Sequence, residues 1–335
     1  MLLNRFHTMA QERNLAGALI EAPETGEFVK LLAVRLRAVL LELDKGSVSS
    51  KVKRALGVLK AFTYTLPDGS SISINVDAVT GSADSGLLAE DLTSLLVAVG
   101  EAALDRDRGF ILAVDEVQYL SAEELGALIS AVHRTVQLKL PVILVGAGLP
   151  QLPGLAGNAK SYAERLFDFP EIGSLNKIDA VAALVVPAQA QDVEFEPAAL
   201  DAIVSYTKGY PYFLQEWGYH VWNEASGSPI TADDVESAAK TVETQLDKNF
   251  FRVRMDRLTP AEKDYLVAMA DLGAGPHRSG DIATKLGVKV ESVAPRRSGL
   301  IKKGMLYSPA HGDTAFTVPI FDEFLRRARP NEAEE

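Results

Sequence analysis

Two adjacent carboxylates, Asp115 and Glu116, close a short unbroken apolar run, Phe110 to Val114, in the stretch GFILAVDEVQYL. A half-exposed strand alternates apolar and polar residues. This run does not, so it is expected to lie buried on both faces, in the middle of a parallel sheet. Open α/β sheets bind ligands at the carboxyl ends of such strands. An acid placed there can hold Mg²⁺ through water, and an adjacent Glu can orient or deprotonate a water attacking a phosphoryl group. The competing reading is a solvated lead-in to a helix from Ser121 to Leu138, whose Ser121-Ala-Glu-Glu opening caps well and puts acids on the positive helix end. Other chemistry finds little support. His7, His133, His220, His277 and His311 form no metal-ligand spacing, no Gly-x-Ser-x-Gly elbow occurs, and the absence of Cys excludes thiolate ligands and disulfides.

The elements that would position these acids follow from the apolar pattern. Ala16 to Ala22 and Pro141 to Val145 are further short buried strands, and Ile172 to Leu175 is expected as a last one. Helices are expected over Met1 to Arg13, Glu27 to Leu43, Leu87 to Asp105 and Ser121 to Leu138. Strands alternating with helices make a doubly wound parallel sheet. Between Gly46 and Asp84 the texture changes: Ala61 to Leu66 and Ser71 to Val76 alternate around Pro67-Asp68-Gly69, which predicts a β-hairpin insertion. Gly146-Ala147-Gly148 turns the chain sharply after the Pro141 strand. Arg165 is the clear cation on a short helix that follows; it could stabilise phosphoryl-transfer charge across a subunit boundary or pair locally with Glu164 or Asp168.

Beyond Ile178 the pattern is helical. Helices are expected over Ala180 to Ala188, Pro197 to Tyr206, Pro211 to Asn223 and Ala232 to Phe250. The block GYPYFLQ places Tyr210, Pro211 and Tyr212 at a helix start, where the rings either stack on a base or fill the core. The last segment has its own plan: helices from Thr259 to Leu272, Ser279 to Leu286 and Glu291 to Lys303, then two strands within Met305 to Val318. That is a winged-helix order, a helix-turn-helix variant whose third helix can enter a DNA major groove. Lys289, Arg296, Arg297, Lys302 and Lys303 lie on or beside that helix and could meet phosphates, or form a solvated basic face. Charge is uneven: from Arg252 to Arg329 there are 14 Lys or Arg against 9 Asp or Glu, while the whole chain of 335 residues carries −11. No apolar run is long enough for a membrane span and no signal peptide is evident, so a cytoplasmic protein is expected.

GFILAVDEVQYL, PVILVGAGLPQLPGLAGNAKSYAERLFDF, GYPYFLQEWG and the closing winged-helix pattern together resemble the bacterial AAA ATPases of the origin-recognition-like and signal-transduction type. The resemblance spans nearly the whole chain in the right order of parts. It implies a P-loop-NTPase-like core at 1–176 with the hairpin insertion at 46–84, a helical lid at 177–251, a winged helix at 252–329 and a disordered tail at 330–335. It also implies ATP and Mg²⁺ as cofactors, with homo-oligomers and DNA among the partners. By position, Asp115 resembles the Mg²⁺-linked acid, Glu116 the water-activating one and Arg165 the trans-acting cation. Gly146 and Gly148 stand where the family has a polar sensor, and Tyr212 where many relatives have an Arg. Tyr210, Pro211 and Tyr212 are then expected against the base or ribose.

One departure is large. The phosphate-cradling loop Gly-x-x-x-x-Gly-Lys-Ser/Thr is missing, since no Gly is followed by Lys anywhere. In relatives that loop leads into a helix much like Met1 to Arg13, so the first strand and the cradle are expected to be lost, through either a longer native product or a truncated form with impaired ATP binding. The expected function is therefore an ATPase or nucleotide-dependent switch coupling lid to winged helix. The alternatives are a DNA-binding regulator with the sheet domain as scaffold, and an interaction platform that oligomerises through that domain.

Overall fold

The computed structural model describes residues 2–24, 26–45, 49–66, 74–310 and 312–328. Two compact units divide the chain, Met1–Pro170 and Glu171–Glu335. The first unit is built on a parallel three-stranded sheet of order β1-β2-β3: β1 Leu15–Glu21, β2 Gly109–Asp115 and β3 Val142–Gly146. Glu21 pairs with Asp115, and Val114 with Gly146, so the strands end together at one rim. Phe110 through Val114 are all buried, as expected of a central strand.

The helices of this unit are α1 Leu2–Glu12, α2 Phe28–Leu43, α3 Ser50–Thr63, α4 Leu88–Asp105, α5 Ala122–Gln137, α6 Leu152–Ala159 and α7 Ala163–Leu166. Strand side chains alternate between faces. Ala16, Ala18, Ile20, Phe110, Leu112 and Val114 share one core with α2, α3, α4 and α5. The opposite face carries α1, which packs closely over Gly17: a Cβ there would lie 2.7 Å from the His7 ring, so the ring would have to shift. The loop before α4 is held by Asp91, a buried carboxylate accepting from the Ser85 and Gly86 amides and the Ser85 hydroxyl at 2.7 to 3.0 Å.

Two expected elements do not form. Ala61 to Thr63, read as the first strand of a hairpin, are the last turn of α3. That helix is capped by the Ser49 side chain on Val52 N–H and buries Val52, Ala55, Leu59 and Phe62 at helical spacing, which overrides the local alternation. The turn Pro67-Asp68-Gly69 and Ser71 lie outside the described residues. Ile172 to Leu175 form no strand either; the Leu175 N–H is taken by the Gly209 carbonyl at 2.9 Å instead. The sheet among the described residues thus has three strands where four were expected.

In the second unit, α8 Lys177–Gln189, α9 Pro197–Thr207, α10 Pro211–Glu224 and α11 Ala232–Leu246 match the expected helices. A π-helical turn, Asp247–Phe251, joins α11 to α12 Arg252–Asp256. Then come α13 Pro260–Asp271, α14 Ser279–Leu286, α15 Val290–Lys302 and α16 Phe321–Arg327, with an antiparallel sheet of order β4-β6-β5: β4 His277–Arg278, β5 Leu306–Tyr307 and β6 Asp313–Phe316. Strands β5 and β6 fall within the expected Met305 to Val318 pair; β4 was not foreseen, and His311 and the tail 330–335 lie outside the described residues. One core runs through the unit: Phe251 stacks on Phe324 at 4.9 Å and meets Phe213 and Phe321 edge-on or tilted.

Candidate functional site

In the first unit, the carboxyl rim of the sheet turns abruptly at Glu116. Its φ of 53° and ψ of 39° lie in the left-handed region, which costs a residue with a Cβ roughly 1 to 2 kcal/mol. Such strain persists only where neighbours enforce it. Here the Glu116 N–H donates to Asp115 Oδ1 at 3.0 Å, and the Val117 N–H donates to the Ala147 carbonyl at 3.0 Å, tying the turn to the end of β3.

Gln118 completes the arrangement. Its Nε2 donates to the Glu116 carboxylate, and its Oε1 accepts from Leu149 N–H at 3.2 Å. The glycines of the β3 turn make this possible by close approach. A Cβ on Gly148 would sit 2.8 Å from Gln118 Oε1, and one on Gly146 would sit 3.2 Å from the Val117 side chain. Gly146 and Gly148 thus make room for the Val117 and Gln118 side chains, and Gln118 is the polar link between Glu116 and the turn after β3. Its signal in the sequence was only its spacing, two residues past the acidic pair.

Asp115 is partly buried at the strand end, with Oδ1 accepting from the Glu116 N–H. No group of three or more His, Cys, Asp or Glu suited to a metal occurs among the described residues. A Mg²⁺ arriving with a triphosphate needs few protein ligands, since phosphate oxygens and water supply the rest. Among the described residues the rim therefore offers carboxylate oxygens but no dedicated metal cage. Arg165, on α7, is exposed, and its side chain forms no ion pair with Glu164 or Asp168.

In the second unit, Tyr210, Pro211 and Tyr212 open α10. Gly209 ahead of them has φ +71°, and a Cβ there would lie 2.3 Å from the Leu175 carbonyl, so this turn admits only Gly. Tyr210 packs on Phe213 at 4.8 Å against the core, while Tyr212 stacks on Phe250 at 4.9 Å and stays exposed. Over Phe250 lies the Arg254 guanidinium, 3.6 Å from the ring centroid, donating to the Phe250 carbonyl at 3.3 Å. Burial lowers the pKa of Arg254, with Tyr210 and Tyr212 opposing it. Tyr212 is pushed up by burial first and by the Glu216 carboxylate next. The cation that sequence order did not supply at Tyr212 thus comes to its side from a position 42 residues further on, with no local signal.

The five basic residues around α15 divide. Arg297 is engaged within the unit, donating to Thr314 Oγ1, Ser308 Oγ and the Asp313 carbonyl at 2.7 to 2.9 Å. Lys303 pairs with Glu262 at 2.7 Å and also donates to the Arg257 carbonyl. Gly299 leaves room for this pair, since a Cβ there would lie 2.8 Å from Glu262 Oε1. Burial raises the Glu262 pKa, but the Lys303 and Thr259 hydrogen bonds outweigh it and hold the carboxyl below its ordinary value. Lys289 and Lys302 are exposed and Arg296 is half-buried; among the described residues these three form no ion pair.

Residues 248–325 match a family model described as a domain of unknown function, DUF8462. No curated protein matches the chain. Among solved structures, the Walker-type ATPase of Pyrococcus abyssi is similar over 97% of this chain and 94% of that one, at 17% identity and a TM-score of 0.52. The RuvB Holliday junction branch migration motor of Thermotoga maritima aligns over 98% and 95% at 18% identity, TM-score 0.40. The Orc1 protein of Aeropyrum pernix, solved in complex with DNA, aligns over 97% and 91% at 15% identity, TM-score 0.39. The first of these establishes a shared fold: an α/β ATPase-like architecture with a parallel sheet. No helix among the described residues is long and apolar enough to cross a membrane.

Proposed function

We propose that the chain is an AAA-type ATPase or nucleotide-dependent switch, cytoplasmic, in which a helical lid (177–251) couples to a winged helix (252–329). The observation carrying this reading is the acidic pair at the carboxyl rim of a fully buried central strand, in a fold shared with a Walker-type ATPase. A bound Mg²⁺ supplies charge neutralisation on the phosphate oxygens. Asp115 would offer it a ligand through water, Glu116 would take the proton of the water that attacks the terminal phosphoryl group as its bond to the departing ADP oxygen breaks, and Arg165 would reach a neighbouring copy in a homo-oligomer. Tyr210, Pro211 and Tyr212 meet the base or ribose. Since these residues contain no Gly-Lys loop, ATP affinity is impaired in this chain. The test is ATP binding by calorimetry with turnover by phosphate release: Glu116→Gln is expected to abolish turnover and spare binding, and turnover unchanged by the substitution refutes the role.

A second reading is supported by the basic excess of the last segment and by the exposed, unpaired Lys289 and Lys302: DNA contact through the winged helix, with the sheet unit as scaffold. Fluorescence anisotropy with duplex DNA tests it, and no binding at low salt removes it.

A further inference from the structure

The stretch from Lys248 to Arg257, KNFFRVRMDR, sets four cations against one acid, Asp256, along the π-helical turn and α12. Two of the four, Arg254 and Arg257, are neighbours one helical turn apart. Arg254 is half-buried, its guanidinium held over Phe250 and beside Tyr210 and Tyr212. A cation withdrawn from water ordinarily has a carboxylate to offset its lost hydration. Arg254 has none: among the described residues, neither it nor the exposed Arg257 forms an ion pair. Glu216, one turn along α10, is taken up by the Tyr212 hydroxyl instead.

A guanidinium carries five N–H donors in a rigid planar fork. Arg254 uses one arm, Nη1, on the Phe250 carbonyl at 3.3 Å, and among the described residues its other donors meet no protein acceptor. Burial does most to lower the Arg254 pKa, and the like charge of Arg257 adds to it against the two phenols. An anion between the two guanidiniums would relieve both effects. The start of α10 adds positive potential at the same place. It has no side-chain cap, and its ladder begins with the Leu214 N–H on the Tyr210 carbonyl, which leaves the Tyr212 and Phe213 amides at the positive helix end. Lys303 Nζ donates to the Arg257 carbonyl at 3.2 Å, so the end of α12 is fixed while the Arg257 side chain stays open to solvent.

We infer that Arg254 and Arg257 form a phosphate-binding site in the second unit, with the organic part of the phosphate ester against the exposed Pro211 and Tyr212. Phosphate oxygens match the guanidinium fork in pairs, and a further oxygen is left for the second cation. A carboxylate offers two oxygens but only one charge for two cations. The terminal phosphate of a free nucleotide and the backbone phosphate of a nucleic acid both present this chemistry. Placing a base or ribose at Tyr212 rests on the function proposed above; the anion site itself does not. None of the five cations around α15 belongs to it.

Calorimetric titration of the full chain with pyrophosphate at low salt tests the site, with EDTA present so that Mg²⁺ at the acidic rim plays no part. Arg254→Met keeps an apolar stem on Phe250 and is expected to weaken binding at least about tenfold, while Arg254→Lys, which keeps the charge and loses the fork, should recover only part of it. Arg257→Gln, at an exposed position where the fold is not at stake, should cost about threefold. Lys289→Gln removes the same charge elsewhere on the unit and should leave the affinity unchanged. ADP and a short single strand of dT then separate the sources: Arg254-dependent binding of ADP alone assigns a free nucleotide, of the strand alone a nucleic-acid backbone, and displacement of one by the other a site that takes both. No pyrophosphate binding, binding that Arg254→Met and Arg257→Gln leave unchanged, or an equal loss on Lys289→Gln would each overturn the inference. None of these readouts uses hydrolysis, so a chain without turnover counts against the ATPase reading and not against this site.

Discussion

Replacing Gln118 by Leu removes both hydrogen bonds that join Glu116 to the turn after β3 while keeping side-chain volume. The bond to the Glu116 carboxylate is charge-assisted and contributes about 1.5 to 3 kcal/mol, and the bond from Leu149 N–H about 1 kcal/mol, before discount for partial exposure. The expected loss of stability is about 1 to 3 kcal/mol, read as a lower urea midpoint with an unchanged slope. Amide hydrogen exchange supplies the local readout: protection of Leu149 should fall about tenfold, equivalent to about 1.4 kcal/mol, with the β2 amides unaffected. Gln118→Glu sharpens the test. Two carboxylates in contact raise the pKa of one of them, so this variant should be less impaired at acid pH and lose stability as pH rises through that raised value. A Gln118→Leu chain with the wild-type midpoint and unchanged Leu149 exchange would refute the link between acid and turn.

Gly209→Ala should lose at least about 2 kcal/mol from the left-handed backbone cost plus the collision with the Leu175 carbonyl, seen as a lower thermal midpoint. Glu262 has a depressed folded-state pKa, so its contribution is complete above the unfolded value near about 4.3 and is lost as pH falls through the lower folded value; Glu262→Gln should flatten that acid limb in denaturation titrations. Arg297→Ala should destabilise the second unit by about 2 kcal/mol by removing three hydrogen bonds. Arg296→Ala and Lys289→Ala should leave the urea midpoint in place, and if DNA is bound they should each reduce the salt slope by about one.

The sequence by itself determined the central strand and its acids, because a run apolar at every position has only one comfortable place in a sheet and charge can follow it only at the rim. It also determined most helices, whose caps and spacing are local properties. Ser121 with Glu124, Thr231 with Asp234 and Thr259 with Glu262 all form reciprocal capping boxes. Tertiary structure decided what depends on partners distant in the chain. Whether Ala61 to Thr63 continue a helix was settled by the core beneath α3, and whether Leu175 pairs in a sheet by the turn at Gly209. Gln118 owes its position to Leu149, 31 residues further on, and Arg254 comes beside Tyr210 and Tyr212 from more than 40 residues away, relations that no local window contains. The cations near α15 looked alike along the chain; their separation into Arg297 and Lys303, bound inward, and Lys289 and Lys302, left to solvent, arises because the helix presents only one face to Glu262 and Thr314.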